Sequence, residues 1–143
     1  MDIQWKSILG HEKIIQRLQR LGQEGRMPHA LLFCGSEGIG KRRIALSLAA
    51  MLLCEAVPEA APCGHCASCE ALQAGIHPDF YQVEPESKGK AAKTIKIEQI
   101  RELQTRIAWT PKLSKQRVIL MDQVELMNEA AANSLLKTIE EPP

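Results

Sequence analysis

The stretch that most restricts how this chain can fold is Gly35-Ser36-Glu37-Gly38-Ile39-Gly40-Lys41-Arg42. It lies between an apolar run, Ala30-Leu31-Leu32-Phe33-Cys34, and a segment from Lys41 to Cys54. The run predicts a strand buried on both faces, while Ile44, Ala45, Leu48, Ala49, Leu52 and Leu53 recur at helical spacing. Strand, glycine loop and helix in that order form an anion cradle. Gly35, Gly38 and Gly40 let the backbone bend so that successive N–H groups face inward, and the helix start adds its positive dipole end. Lys41 supplies a point charge for terminal phosphates, so G-x-x-x-x-G-K predicts a nucleotide site. The next position normally carries a Ser or Thr hydroxyl that ligates magnesium. Arg42 stands there instead, and a guanidinium has no lone pair to offer a metal. The loop is expected to hold phosphate and to hydrolyse it poorly. The plainer alternative is a turn that happens to contain glycines ahead of an amphipathic helix.

The same alternation continues along the chain. Ile14, Ile15, Leu18 and Leu21 predict a helix over Glu12 to Leu21, ended by Gly22, Gly25 and Pro28. Phe80 to Val83 predicts a short strand, Pro85 to Lys93 a solvated loop with Lys88, Lys90 and Lys93, and Glu98 to Trp109 a helix with Ile100, Leu103 and Ile107 on one side. Val118-Ile119-Leu120-Met121 reads as a second buried strand, and Asn128 to Thr138 as a last helix. Strands alternating with helices predict an α/β fold of the P-loop type, a mainly parallel sheet with helices on both faces. Trp5, Phe33 and Trp109 are expected in the core, Cys34 packed in the first strand, and His29 capping or packing.

Val118–Met121 runs into Asp122, which in P-loop proteins orients water on magnesium. A general-base Glu commonly follows, but here the residue is Gln123, whose amide takes no proton at neutral pH. An Asp that merely caps the strand is an equal reading of this site taken alone. Cys54, Cys63, Cys66 and Cys69 form C-x8-C-x2-C-x2-C. Zinc takes four soft donors in a tetrahedron, and two-residue gaps let a tight turn, eased by Gly64, aim neighbouring thiolates at one ion. Buried or redox cysteines are the alternative, with His65 or His77 able to replace one thiolate. Closed coordination would make the metal structural. Glu55 to Leu72 contains no Lys or Arg, which argues against a zinc-dependent nucleic-acid module.

At 143 residues the chain is one domain by length or part of a longer one, and 18 basic groups balance 17 acidic ones. No apolar run approaches the roughly 20 residues of a membrane span, and Met1 to Gly10 lacks the features of a signal peptide, so a cytoplasmic location is expected. In that compartment disulfides are disfavoured. The end at Glu140-Glu141-Pro142-Pro143 reads as a cut within a domain.

Taken together these segments resemble the clamp-loader subunits of bacterial DNA polymerase III, members of the AAA+ superfamily. The resemblance rests on His29-Ala30-Leu31-Leu32-Phe33, the cysteine cluster, His77-Pro78-Asp79, Ile97-Glu98-Gln99-Ile100-Arg101-Glu102-Leu103, and above all Ala130 to Pro143, similar to A-x-N-x-L-L-K-x-L-E-E-P-P. Arg42 and Gln123 depart from the gamma/tau motor branch, and Glu125-Leu126-Met127-Asn128 is similar to E-x-M-N of the delta-prime branch. The resemblance implies an AAA+ three-layer α/β/α domain over residues 1–143, incomplete before its last strands, with a zinc-binding module inserted at 54–72. It implies a stator that supports loading of the sliding clamp on primed DNA beside the gamma/tau and delta subunits. ATP or ADP would be held weakly by Gly35, Gly38, Gly40, Lys41, Arg42 and Asp122, and zinc by Cys54, Cys63, Cys66 and Cys69. An active motor, in which Glu125 or a residue past Pro143 supplies the base and Asp122 alone holds magnesium, is the rival. The family's Ser-Arg-Cys segment, its collar and the fourth strand are expected beyond Pro143, so the first and third strands should pair directly or the chain self-associate.

Overall fold

The computed structural model describes residues 1–87 and 89–141; Lys88, Pro142 and Pro143 lie outside the described residues. Two compact units are present, Met1–Phe80 with Pro111–Val118, and Tyr81–Thr110 with Ile119–Pro143.

In the first unit, α1 (Glu12–Gln23) buries Ile15 and Leu18, and α2 (Lys41–Leu53) buries Ile44, Leu46, Ser47, Leu48, Ala49, Ala50, Met51 and Leu53. A helix apolar on nearly every side needs partners all round it. On one side Ile44, Leu48 and Met51 pack with Leu18, and on the other Ala50 packs with Ile3, Cys69 and Leu72. Gly22 permits the close approach of α1, because a Cβ there would meet Met51 Cε. α3 (Ala67–Gln73) is a short helix capped by Cys66, whose side chain accepts from the Cys69 amide.

The first expected strand is not formed. No ladder includes Ala30–Cys34 among the described residues, and the sheet consists of β1 (Phe80–Val83) and β2 (Val118–Met121). Instead of being buried on both faces, Leu32 is 73% exposed, and only Phe33 packs, beside Leu18 and Met51. An apolar run becomes a strand only where another backbone meets its N–H and C=O groups, and no described strand does so. The expected pairing of first and third strands is corrected accordingly: β2 pairs with β1. Cys34, expected to be packed, is exposed.

In the second unit β1 and β2 run parallel, with Asp122 N–H donating to Val83 O at 3.0 Å. α4 (Ile97–Ile107) begins where the Lys96 amide donates to Gln99 Oε1 at 2.9 Å. Its Ile100 and Leu103 join Val83, Ile95 and Ala131 in a core flanked by Ile119, Met121 and Leu135. α5 (Glu129–Glu140) starts one residue later than expected because Asn128 is its cap, accepting from the Ala131 amide at 2.8 Å. Gln104 Nε2 on α4 donates to Ser134 Oγ and Thr138 Oγ1 on α5, both at 3.0 Å. Trp109, expected in the core, is 52% exposed just beyond α4. Among the described residues no helix is long and apolar enough to cross a membrane.

Candidate metal centre and glycine loop

Cys54 follows α2, Cys63 lies in the loop before α3, Cys66 caps α3 and Cys69 sits in its first turn. Their four Sγ atoms lie within 4.8 Å of one another, with Cys54 to Cys66 at 3.9 Å and Cys63 to Cys69 at 4.0 Å. A tetrahedral ion with metal–sulfur bonds of about 2.3 Å has sulfur–sulfur edges of about 3.8 Å, so the spacing fits zinc.

Amide donors surround the sulfurs. Ala56 and Cys63 N–H point at Cys54 Sγ, both at 3.4 Å, His65 and Cys66 N–H at Cys63 Sγ at 3.5 and 3.3 Å, and Cys69 N–H at Cys66 Sγ at 3.4 Å. Such donors stabilise thiolate and not thiol. The His65 amide, with that of Cys66, outweighs burial at Cys63 and brings its thiol down to about 6. Burial pushes the Cys54 and Cys69 thiols up, so these two would hold protons until a cation displaced them.

Neither histidine joins the cluster. His65 is exposed, with Nδ1 3.0 Å from Cys63 O. Both ring nitrogens of His77 are engaged: Nδ1 accepts from the Asp79 amide at 3.0 Å, and Nε2 lies 2.7 Å from Ser68 Oγ. Asp79 is fully buried, its carboxylate accepting the amides of Lys112, Leu113 and Ser114, each at 2.7 Å, with the Arg117 guanidinium 3.8 Å away. Burial works to raise its carboxyl, but the three amides prevail and hold it below the ordinary carboxylate value. Sequence reasoning gave Asp79 no role of its own. The available signal was an acid at the first position before an apolar strand, where an ionised group survives only if donors meet it.

The glycine loop is formed and exposed. Gly38 (φ +81°) and Gly40 (φ +101°) occupy left-handed backbone that side chains disfavour. Gly40 caps α2 and accepts from the Ile44 amide at 3.0 Å. A Cβ at Gly35 would meet Ile39 Cδ1, so a larger residue there requires the Ile39 side chain to turn aside. Lys41 Nζ donates to Gly35 O at 2.7 Å, placing the ammonium across the loop's own mouth. Arg42 is half-buried in the first turn of α2. Of the other expected residues, Asp122 belongs to the second unit, where it follows β2 directly. Gln123 next to it has φ +53°, an uncommon conformation for a residue with a side chain. The structure therefore brings together the four cysteines, and separately Gly35, Gly38, Gly40 and Lys41.

The chain is similar to known proteins over most of its length. The chain is 43% identical over 123 residues to DNA polymerase III subunit delta' of Pseudomonas aeruginosa, covering 86% of this chain and 37% of that protein. It is 40% identical over 121 residues to DNA polymerase III subunit delta' of Escherichia coli (strain K12), covering 85% of this chain and 35% of that one. DNA polymerase III subunit gamma of Buchnera aphidicola subsp. Schizaphis graminum is 36% identical over 139 residues, covering 97% of this chain and 37% of its own length. The chain thus spans little more than a third of these relatives. A model of the family "DNA polymerase III, delta subunit" matches residues 10–143, and the chain belongs to that family.

Proposed function

We propose that this chain is the N-terminal AAA+ portion, residues 1–143, of a delta-prime-like stator in the DNA polymerase III clamp loader, with the zinc-binding module at 54–72. It would act in the cytoplasm beside gamma/tau and delta subunits, supporting ATP-driven loading of the sliding clamp on primed DNA. The observation that carries this reading is the joint loss of the magnesium ligand at Arg42 and the base at Gln123, within a loop that keeps Gly35, Gly38, Gly40 and Lys41. A cradle of that kind binds ATP or ADP weakly, since a guanidinium and an amide stand where a metal ligand and a base are normally found. Loss of a general base costs about 10²- to 10⁴-fold in rate. Zinc, bound by Cys54, Cys63, Cys66 and Cys69, would supply a closed structural crosslink and no chemistry.

Titration of the whole chain with ATP, with and without magnesium, tests the reading. Affinity nearly independent of the metal, with no turnover above background, is expected. Hydrolysis abolished by Lys41→Ala would overturn it in favour of the motor reading, which the gamma and tau relatives keep alive through their longer matches, 95–97% of this chain. Restoring both groups in the double variant Arg42→Thr, Gln123→Glu is expected to make nucleotide affinity rise with magnesium.

A further inference from the structure

The cluster formed by His77, Ser68, Ser114, Leu53 and Asp79 is used by none of the functions above. Its hydrogen atoms can be placed by counting donors. The Asp79 N–H points at His77 Nδ1 at 3.0 Å, so Nδ1 is an acceptor and carries no proton. Leu53 O receives two hydroxyls, from Ser68 at 2.7 Å and from Ser114 at 2.8 Å. With both hydroxyl protons so directed, their oxygens are left as acceptors. His77 Nε2, 2.7 Å from Ser68 Oγ and 3.3 Å from Ser114 Oγ, must be the donor. Only the neutral Nε2–H ring matches both the amide at Nδ1 and the two hydroxyl oxygens at Nε2, which lie 3.2 Å apart and both accept. A second proton on Nδ1 would face the Asp79 amide hydrogen.

That ring stands where three parts of the first unit meet: the end of α2 through Leu53, α3 through Ser68, and the segment Pro111–Val118 through Ser114. The same turn aims the Asp79 carboxylate at three successive amides of that segment. We propose that His77 is a proton-operated clasp: neutral, it accepts the Asp79 amide and holds the turn that aims the Asp79 carboxylate at Pro111–Val118, and on taking a proton at Nδ1 it loses that amide and loosens the carboxylate's hold on the segment.

The charged groups facing the ring are Asp79 and Glu55, which favour the proton, with Arg117 offsetting Asp79 from 3.8 Å. Burial, with His77 6% exposed, outweighs the two acids and lowers the ring's affinity for a proton below the ordinary 6.5. A depressed histidine contributes its stabilisation fully above about pH 6.5 and loses it as pH falls from there through the folded-state value. The clasp is shut at neutral pH and opens on the acid side.

Two measurements on the whole zinc-loaded chain test this. Nitrogen-15 spectra of the wild type at pH 7.5 should show His77 neutral with its proton on Nε2; a proton on Nδ1, or a charged ring, overturns the proposal without any variant. Hydrogen exchange at the amides of Lys112, Leu113 and Ser114, corrected for intrinsic rates, should accelerate severalfold, to a limit of about eightfold, between pH 7 and 5.5. In His77→Asn, whose Oδ1 still accepts from the Asp79 amide but takes no proton, that step should vanish. Bound zinc is assayed at every pH. An acceleration that follows zinc loss equally in wild type and variant would assign the effect to the cysteines and sink the clasp; so would a flat wild-type profile.

Discussion

Segments 54–72 and 30–42 both carry strong sequence patterns, and they fare differently. The cysteine segment builds its environment from itself: five amides of residues 56 to 69 point at its own sulfurs, and Cys69 is 1% exposed. The glycine segment forms its loop, because glycine torsions and the start of α2 are local, yet the run before it remains open, with Leu31 44% and Leu32 73% exposed. A ligand cluster closes over a few residues of chain. A central strand is finished only by other strands.

The widest difference between the two segments should appear on removing one of the four clustered cysteines. Apparent zinc binding in structural fingers is worth about 10–16 kcal/mol at neutral pH, and that binding energy is also folding energy. Cys69→Ser, or chelation of the whole chain, is expected to abolish amide protection across α3 and lower the melting temperature steeply. Protection of α1 by Leu18 and Met51 should be affected less. If chelation leaves α3 protected, the cysteine segment does not depend on a metal and the contrast collapses.

Next in size is the buried anchor of the same unit. Asp79→Ala removes the carboxylate that accepts three amides and stands 3.8 Å from the Arg117 guanidinium, whose side chain is 9% exposed. Breaking a buried pair of this kind costs about 3–5 kcal/mol in denaturant unfolding. Since the amides hold the carboxyl below its ordinary 3.8, the contribution is complete above that value and lost as pH falls through the folded-state one. The wild type should therefore lose stability below about pH 4, and the Ala variant should lose less over that interval. Equal acid profiles would show that the carboxylate is not the anchor.

What could be read from the sequence follows the same division. α1, α2, β1, β2 and the cysteine cluster declare themselves within a window of a few residues, through helical spacing, apolar runs and two-residue cysteine gaps. Ala30–Cys34 has an equally good local signal, and it misleads, since strand formation is a property of pairs. Trp109 fails for another reason: it stands past the last turn of α4, and aromaticity says nothing about which side of a chain end faces water. The Ser68, His77, Ser114 and Asp79 network was illegible because it joins residues up to 46 positions apart through side-chain hydrogen bonds, which leave no period in the sequence.

Local signals that are complete in themselves should also show their worth in the second unit. Asn128 accepts from the Ala131 amide, and the substitution Asn128→Ala is expected to cost about 1 kcal/mol in urea unfolding, the usual value of a lost helix cap. A much larger loss would mean that the side chain does more there than cap α5.

The smallest expected effect decides most about the glycine segment. Leu32, in a strand buried on both faces, would lose about 2–5 kcal/mol on truncation to Ala, through lost transfer energy and the cavity left behind. At 73% exposure it leaves no cavity, and Leu32→Ala should change the stability of this chain by no more than about 0.5 kcal/mol. Leu103→Ala, at 1% exposure in the core of the second unit, serves as the reference and should fall in the larger range. Urea denaturation of both variants, each read by exchange within its own unit, separates the cases. If Leu32→Ala matches Leu103→Ala, the apolar run is covered in solution, and the difference between the two segments of the first unit lies in their neighbours alone.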